Sequence, residues 1–339
     1  MFAGPDPPYQ SPSSPHLHLR VIEYRKRSAA FVRGFFTFLE SRQVRSAVLH
    51  GGADGFEREL SDVDFAVDRR SFHQLANLID DYCVQSGWQL CQVLRHETTA
   101  AYFVCSAAED PACAVALDAC SDYQRNGTVF LPAEELLESR KALAWGGYGL
   151  SPANELRYRF AKAAAKNKNA ADAAIEFACY PDEIRRDCAA WLDARWGISP
   201  ASWNATDLAP ALAKLRAKSN HRPSLRQAGA LARVLSRILR PTGLVVITGH
   251  PNFDITAARL ESVFGHLYFR RFKKSPHWQP AMLKDLVAST LIVVPELASL
   301  WTQILPADCI YRMAPGEDCR GIAKHLHQRC KRRETRYLL

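Results

Sequence analysis

The apolar positions of this chain change period several times, and each change marks an element. Between Val21 and Gln43 they recur every three or four residues, with Phe31, Phe35, Phe38 and Leu39 on one side, which predicts an amphipathic helix. "RSAVLHGG" then reads as a short strand running into a glycine turn. "DVDFAVD" alternates strictly. Val63, Phe65 and Val67 fall on one face and Asp62, Asp64 and Ala66 on the other, because successive strand side chains point to opposite faces. A second helix is predicted from about Ser71 to Gln85, with Leu75, Leu78, Ile79 and Tyr82 aligned, followed by the strand-like stretches "WQLCQVL", "TTAAYFVCSA" and "CAVALDAC".

From Pro132 onward the pattern turns helical, and "SPANE" is a start signal in which Ser151 or Asn154 can cap and Pro152 suits the first turn. "RPTGLVVITGHPNFDITAARLESVF" restarts a strand, a turn and a helix. The expected fold class is therefore α/β, built from an α+β unit over 20–150, a helical region over 151–239 and a short α/β unit over 240–339. The first residues, 1–19, are rich in proline and serine and read as a disordered tail rather than a secretory signal.

Two carboxylates on one face of a buried strand raise each other's pKa and lose hydration, so a fold gains nothing from them alone. They become favourable around a hard divalent cation: Mg2+ takes oxygen ligands from a few carboxylates plus substrate phosphates. Two such ions can clamp the attacking and leaving oxygens of a nucleotidyl displacement. Gly51 and Gly52, lacking a Cβ, let backbone N–H groups approach a triphosphate.

"GG", nine residues, then "DVD" with Ser61 just before Asp62, resembles the signature of the DNA polymerase β-like nucleotidyltransferase superfamily. In that family a glycine with glycine or serine precedes an Asp-x-Asp strand, and a third carboxylate stands on a later strand. The resemblance implies Asp62, Asp64 and Asp118 as metal ligands and catalytic groups, with Asp122 in reserve as the third carboxylate. It implies Gly51, Gly52 and Ser61 as the phosphate cradle. It further implies an NTP substrate, Mg2+ as cofactor, and transfer of an NMP to an acceptor hydroxyl that the sequence does not specify. Arg58 falls between the glycines and the aspartates, where it could reach a phosphate; a merely solvated arginine is the alternative. Lys162 shares a helix face with Lys166 and Arg159, placing it as a further nucleotide-binding candidate; a solvated basic face is the alternative. His50, His73 and His96 are scattered and read as structural. A catalytically inert protein that senses nucleotide or docks a partner is the competing reading of the whole chain.

Gly249 follows a strand and precedes a helix, the context of a phosphate-binding G-x-x-x-x-G-K-[ST] loop. In that frame Asp254 stands for the second glycine and Ile255 for the lysine, and only Gly249 and Thr256 fit. The segment resembles the entry to a thymidylate-kinase-like P-loop domain, degenerate in its loop and short for a complete kinase. ATP binding there is expected to be poor, since an aspartate in the approach repels phosphate.

Charge and cysteine content refine this picture. Residues 1–209 hold 22 Lys/Arg against 27 Asp/Glu, and residues 210–339 hold 22 against 8, so the net charge of +9 sits in the C-terminal part. That part could attract an anionic partner, nucleic acid included. Ten cysteines form no C-x-x-C pair and most sit among apolar neighbours, which points to a reducing, cytoplasmic setting and against zinc. No apolar run approaches the roughly 18 residues of a membrane span.

Overall fold

The computed structural model describes residues 15–56, 62–125, 127–220, 235–249, 253–265 and 267–334. The fold is α/β, as the alternating periods imply. The first helix, α1 (Pro15–Ser41), starts inside the stretch read as a tail. Proline suits a helix start because its missing N–H has no intrahelical partner there. Then come β1 (Ser46–Val48), β2 (Val63–Val67), α2 (Arg69–Ser86), β3 (Trp88–Glu97), β4 (Ala100–Ala107) and β5 (Ala114–Cys120). Helix α2 begins two residues before the predicted start because the Asp68 carboxylate caps it, accepting from the Ser71 N–H at 2.9 Å.

A hairpin, β6 (Tyr123–Arg125) with β7 (Thr128–Leu131), leads to α3 (Ala133–Leu137), β8 (Lys141–Ala142) and β9 (Tyr148–Gly149). Seven of these strands form one mixed sheet in the order β3-β4-β5-β2-β1-β9-β8. Strand β2 runs antiparallel to β1 and parallel to β5, so the central pair places residues of distant sequence side by side.

One face of the sheet is covered by α1 and α2. Val63, Phe65 and Val67 are buried there against Phe31, Phe35, Leu39, Leu75 and Ile79. The opposite face is covered in two separate places. Over β1 and β2, Ala47 and Ala66 pack with Leu136, Leu150 and Tyr158. Over β3 and β4, Cys91 and Val104 pack with residues from the end of the chain.

The middle of the chain is helical: α4 (Pro152–Ala165), α5 (Ala170–Ala178), α6 (Asp182–Trp196) and α7 (Ala205–Asn220). They enclose their own core of Leu156, Phe160, Phe177, Leu192, Leu208 and Leu212. Ser151 caps α4 and Pro152 opens it, while Asn154 turns inward and donates to the Glu135 carbonyl at 2.6 Å.

The last unit comprises β10 (Leu244–Ile247), α8 (Phe253–Phe264), β11 (Arg271–Lys274), α9 (Leu283–Val287), β12 (Thr290–Val294), α10 (Ser299–Ile304), β13 (Ile310–Arg312) and α11 (Cys319–Glu334). Its four strands are all parallel, in the order β11-β12-β10-β13. It packs directly on the first sheet: α8 and α11 supply Leu260, Phe264, Ile322 and Leu326 to the core that holds Cys91 and Val104. The Tyr268 hydroxyl donates to the Pro111 carbonyl at 2.8 Å across the same boundary.

All ten cysteines are unpaired thiols and all but Cys179 are buried, in keeping with their reading as small hydrophobes. Among the described residues no helix is long and apolar enough to cross a membrane.

Candidate functional site

The parallel pairing of β2 with β5 puts Asp64 in register with Asp118. Residues in register project to the same face, so the two carboxylates are neighbours about 5 Å apart at the backbone. Asp62 lies two residues before Asp64 and shares its face by strand alternation. One carboxylate oxygen from each of Asp62, Asp64 and Asp118 lies within 4.8 Å of the others. They sit between the two covered patches of this sheet face, with Asp62 exposed and the other two half-buried.

This donor set is all oxygen, which suits a hard cation and not a soft one. Ligands about 2.1 Å from Mg2+ stand roughly 3 Å apart when adjacent, so small side-chain rotations bring the three oxygens onto one ion. The triad could hold a metal ion.

Around Asp64 the charges are arranged closely. Its Oδ2 lies 2.7 Å from His50 Nε2 and 2.7 Å from Lys162 Nζ, and those two nitrogens are themselves 2.7 Å apart. The single Nε2 position serves only one of its two contacts: as N–H it donates to Asp64, and bare it accepts from Lys162. Burial pushes the Asp64 carboxyl up, but the His50 hydrogen bond and the Lys162 ammonium outweigh it and hold the group well below the usual carboxylate range. Lys162 also lies over the buried Tyr158 ring, 5.4 Å from its centroid, which steadies the ammonium from beneath.

On the other side of the triad, His96 Nε2 lies 2.9 Å from Asp118 Oδ1. Tyr102 of β4 is in register with Asp118 and faces the same cleft. Burial pushes the Tyr102 phenol up, Asp62 and Asp118 push it further, and Arg270 from the C-terminal unit opposes them.

The glycine turn follows directly from the β1–β2 pairing. Leu49 N–H donates to the Asp64 carbonyl at 2.9 Å, so His50, Gly51 and Gly52 emerge beside the start of β2. Gly51 has φ +74°, a left-handed conformation that favours glycine. Gly52 is favoured for a different reason: a Cβ there would stand 3.0 Å from Val48 Cγ1, a tight contact. Its carbonyl is held by the Trp145 indole N–H at 2.6 Å.

Beside Lys162 opens a cavity of about 350 Å³ lined by His50, Arg159, Lys162, Lys166, Lys168 and Glu176. Arg159 is shared between Glu155 and Glu176, at 2.8 and 2.6 Å. The cavity is basic and touches the aspartate site through Lys162 and His50.

Of the residues singled out from sequence, Asp62, Asp64, Asp118 and Lys162 converge, and Gly51 and Gly52 form the adjoining turn. Arg58 and Ser61 lie outside the described residues. Asp122, the reserve carboxylate, is elsewhere: it is buried, accepts from Arg69 Nε at 3.1 Å and from the Ala133 N–H at 2.8 Å, and anchors the start of α3. His50 and His96 are the residues that sequence reasoning set aside. His50 had a usable signal, since it directly precedes Gly51 at a strand end. His96 had none, because a bulge on β3 turns it toward a strand two positions away in the sheet. No family model, curated protein or solved structure matches the chain.

Proposed function

We propose that this protein is a Mg2+-dependent nucleotidyltransferase that moves an NMP from an NTP to an acceptor hydroxyl. The observation that carries the reading is the register of Asp64 with Asp118, with Asp62 closing a three-carboxylate cluster beside a two-glycine turn. The resemblance of the same residues to the DNA polymerase β-like nucleotidyltransferases supports it independently of the geometry. Asp62, Asp64 and Asp118 would hold Mg2+, which would supply charge neutralisation of the triphosphate and polarisation of the attacked phosphorus.

The remaining chemistry belongs to the chain's own groups. Asp62, Asp64 and Asp118 are the metal-holding carboxylates, and the backbone N–H groups at Gly51 and Gly52 cradle phosphate. The cavity cations, Lys162 foremost, take the charge of the triphosphate, and Lys162 leaves Asp64 to do so. Asp118, held by His96, receives the proton of the acceptor hydroxyl as the new O–P bond forms and pyrophosphate departs. The test is Mg2+-dependent release of labelled pyrophosphate from each NTP across pools of acceptors. The reading requires turnover by the native protein and its loss in Asp62→Asn/Asp64→Asn; equal silence of both defeats it.

A second reading, binding without turnover, is favoured by a specific observation: Lys162 and His50 both occupy Asp64 Oδ2. In this case calorimetry detects Mg2+-dependent NTP binding with no product. The C-terminal unit fits either reading as an inert P-loop-like scaffold. Asp254 stands at the start of α8, paired with Lys274 at 2.8 Å, and Ile255 is exposed where a phosphate-binding lysine belongs.

A further inference from the structure

We infer that the acceptor carries a phosphate group beside its attacking hydroxyl, and that Arg270 of the C-terminal unit binds that group on the Asp118 side of the cleft. The inference rests on the nucleotidyl-transfer reading and concerns the half of the site that reading leaves unassigned. The cavity cations all lie on the Asp64 side, reached through Lys162. On the Asp118 side the cleft is bounded by Tyr102 and His96, and the C-terminal unit packs next to them.

Arg270 is carried to that side by a fixed backbone. Its N–H donates to the Ser289 carbonyl at 3.0 Å, and the Ser289 hydroxyl accepts from Gln92 Nε2 at 3.4 Å. Gln92 pairs with Val104 across β3 and β4, two residues from Tyr102, which itself pairs with Asp118. Immediately before Arg270, Tyr268 and Phe269 are buried in the core shared with the first sheet, so the arginine cannot drift from this boundary.

The side chain of Arg270 is exposed and makes no ion pair among the described residues, whereas Lys273 and Lys274 of the adjoining strand are paired with Asp285 and Asp254 at 2.9 and 2.8 Å. Three carboxylates repel any anionic acceptor. A cation held at the rim with its guanidinium free offsets that repulsion, and the planar fork matches two phosphate oxygens at once. A neutral acceptor has no use for it.

The test uses matched probes on the full-length protein loaded with Mg2+ and α,β-methylene ATP, which fills the nucleotide side without reacting. Calorimetric titration compares glycerol, glycerate and glycerol 3-phosphate. Glycerol 3-phosphate should bind at least about tenfold more tightly than glycerol, the worth of one charge-assisted contact. Arg270→Ala should erase that preference, Arg270→Lys should keep part of it, and Arg271→Ala should keep all of it. Three results overturn the inference: no preference over glycerol, equal binding of glycerate, or an Arg270→Ala protein that retains the preference. Failure of α,β-methylene ATP to bind with Mg2+ overturns the nucleotidyl-transfer reading instead. Glycerol 3-phosphate titrated without nucleotide then still decides whether Arg270 is a phosphate site.

Discussion

Replacing Lys162 with methionine, which keeps the stem and removes the charge, should destabilise the metal-free protein yet tighten its hold on a divalent cation. In the folded chain Lys162 Nζ lies 2.7 Å from Asp64 Oδ2, with the two side chains only 21% and 14% exposed. At an effective dielectric of about 20, attraction at that separation is ~6 kcal/mol, most of it offset by desolvation of the two groups. The net worth of a hydrogen bond to a charged group is about 1.5–3 kcal/mol, and partial exposure places this pair near 2 kcal/mol. Lys162→Met should therefore lower unfolding free energy by about 2 kcal/mol in EDTA. The same cation competes with a metal for Asp64, so its removal should raise affinity for Mn2+, a paramagnetic stand-in for Mg2+, by about 10- to 30-fold at 1.4 kcal/mol per tenfold. Electron paramagnetic resonance of free Mn2+, without nucleotide, measures this directly. Because tighter binding stabilises the folded state through mass action, the stability deficit should close as Mn2+ saturates the site. Binding of α,β-methylene ATP should weaken, since the same lysine serves the triphosphate. An unchanged or weakened Mn2+ affinity, or a deficit that ignores Mn2+, would show that Lys162 does not hold the place of a metal.

Four further outcomes separate the site from its supports. Asp118→Asn should abolish Mn2+ binding, whereas Asp122→Asn should cost about 2 kcal/mol of stability, because its carboxylate anchors Arg69 and the Ala133 N–H, and leave Mn2+ affinity within about twofold. Gly243→Ala should cost about 3 kcal/mol in denaturant unfolding, because the added Cβ would stand 2.7 Å from the Leu286 Cα and from the carbonyl oxygens of Leu286 and Thr290. Burial lowers the His325 pKa and the nearby Arg329 and Arg332 act with it, against the Asp308 carbonyl. The unfolded chain therefore binds the proton more readily, and this contribution to stability is full above about pH 6.5 and is lost on acidification. His325→Gln should flatten the stability profile between about pH 7.5 and 5. In the C-terminal loop, Ile255→Lys alone should bring no tight ATP binding, while Asp254→Gly/Ile255→Lys removes the charge now paired with Lys274 and should bring weak binding, read by calorimetry with Asp62 and Asp64 neutralised. Tight ATP binding by the native loop under the same conditions would mean a second nucleotide site.

Short-range periodicity carried a good deal of this protein. The period-two alternation of "DVDFAVD" places Asp62 and Asp64 together on one face and Val63, Phe65 and Val67 in the core, because strand geometry leaves no other choice. The three-and-four spacing of Phe31, Phe35 and Leu39 likewise sets the buried side of α1, and Ser151 with Pro152 marks where α4 begins. Gly51 and Gly52 announce a turn, and Asp118 is recognisable as a carboxylate on a later strand.

What the tertiary structure alone decided is everything that depends on which strands become neighbours. Nothing within "CAVALDAC" says that β5 lies parallel to β2 and in register at Asp118, since parallel pairing is settled by long connections rather than by local pattern. Asp122, four residues on and equally acidic, goes to a buried structural role because the chain turns back there to meet Arg69 and α3. Lys162, Lys166 and Arg159 look alike along the helix, and only the docking of α4 over β1 and β2 sets Lys162 against Asp64. His50 and His96 arrive by strand ends and a bulge, and Arg270 by the packing of α8 and α11 on β3 and β4. A side chain's own neighbours in sequence determine the face it takes; its chemistry is determined by groups brought from 14 to 98 residues away, as His50 and Lys162 are to Asp64, where the gain is shared burial that no local period records.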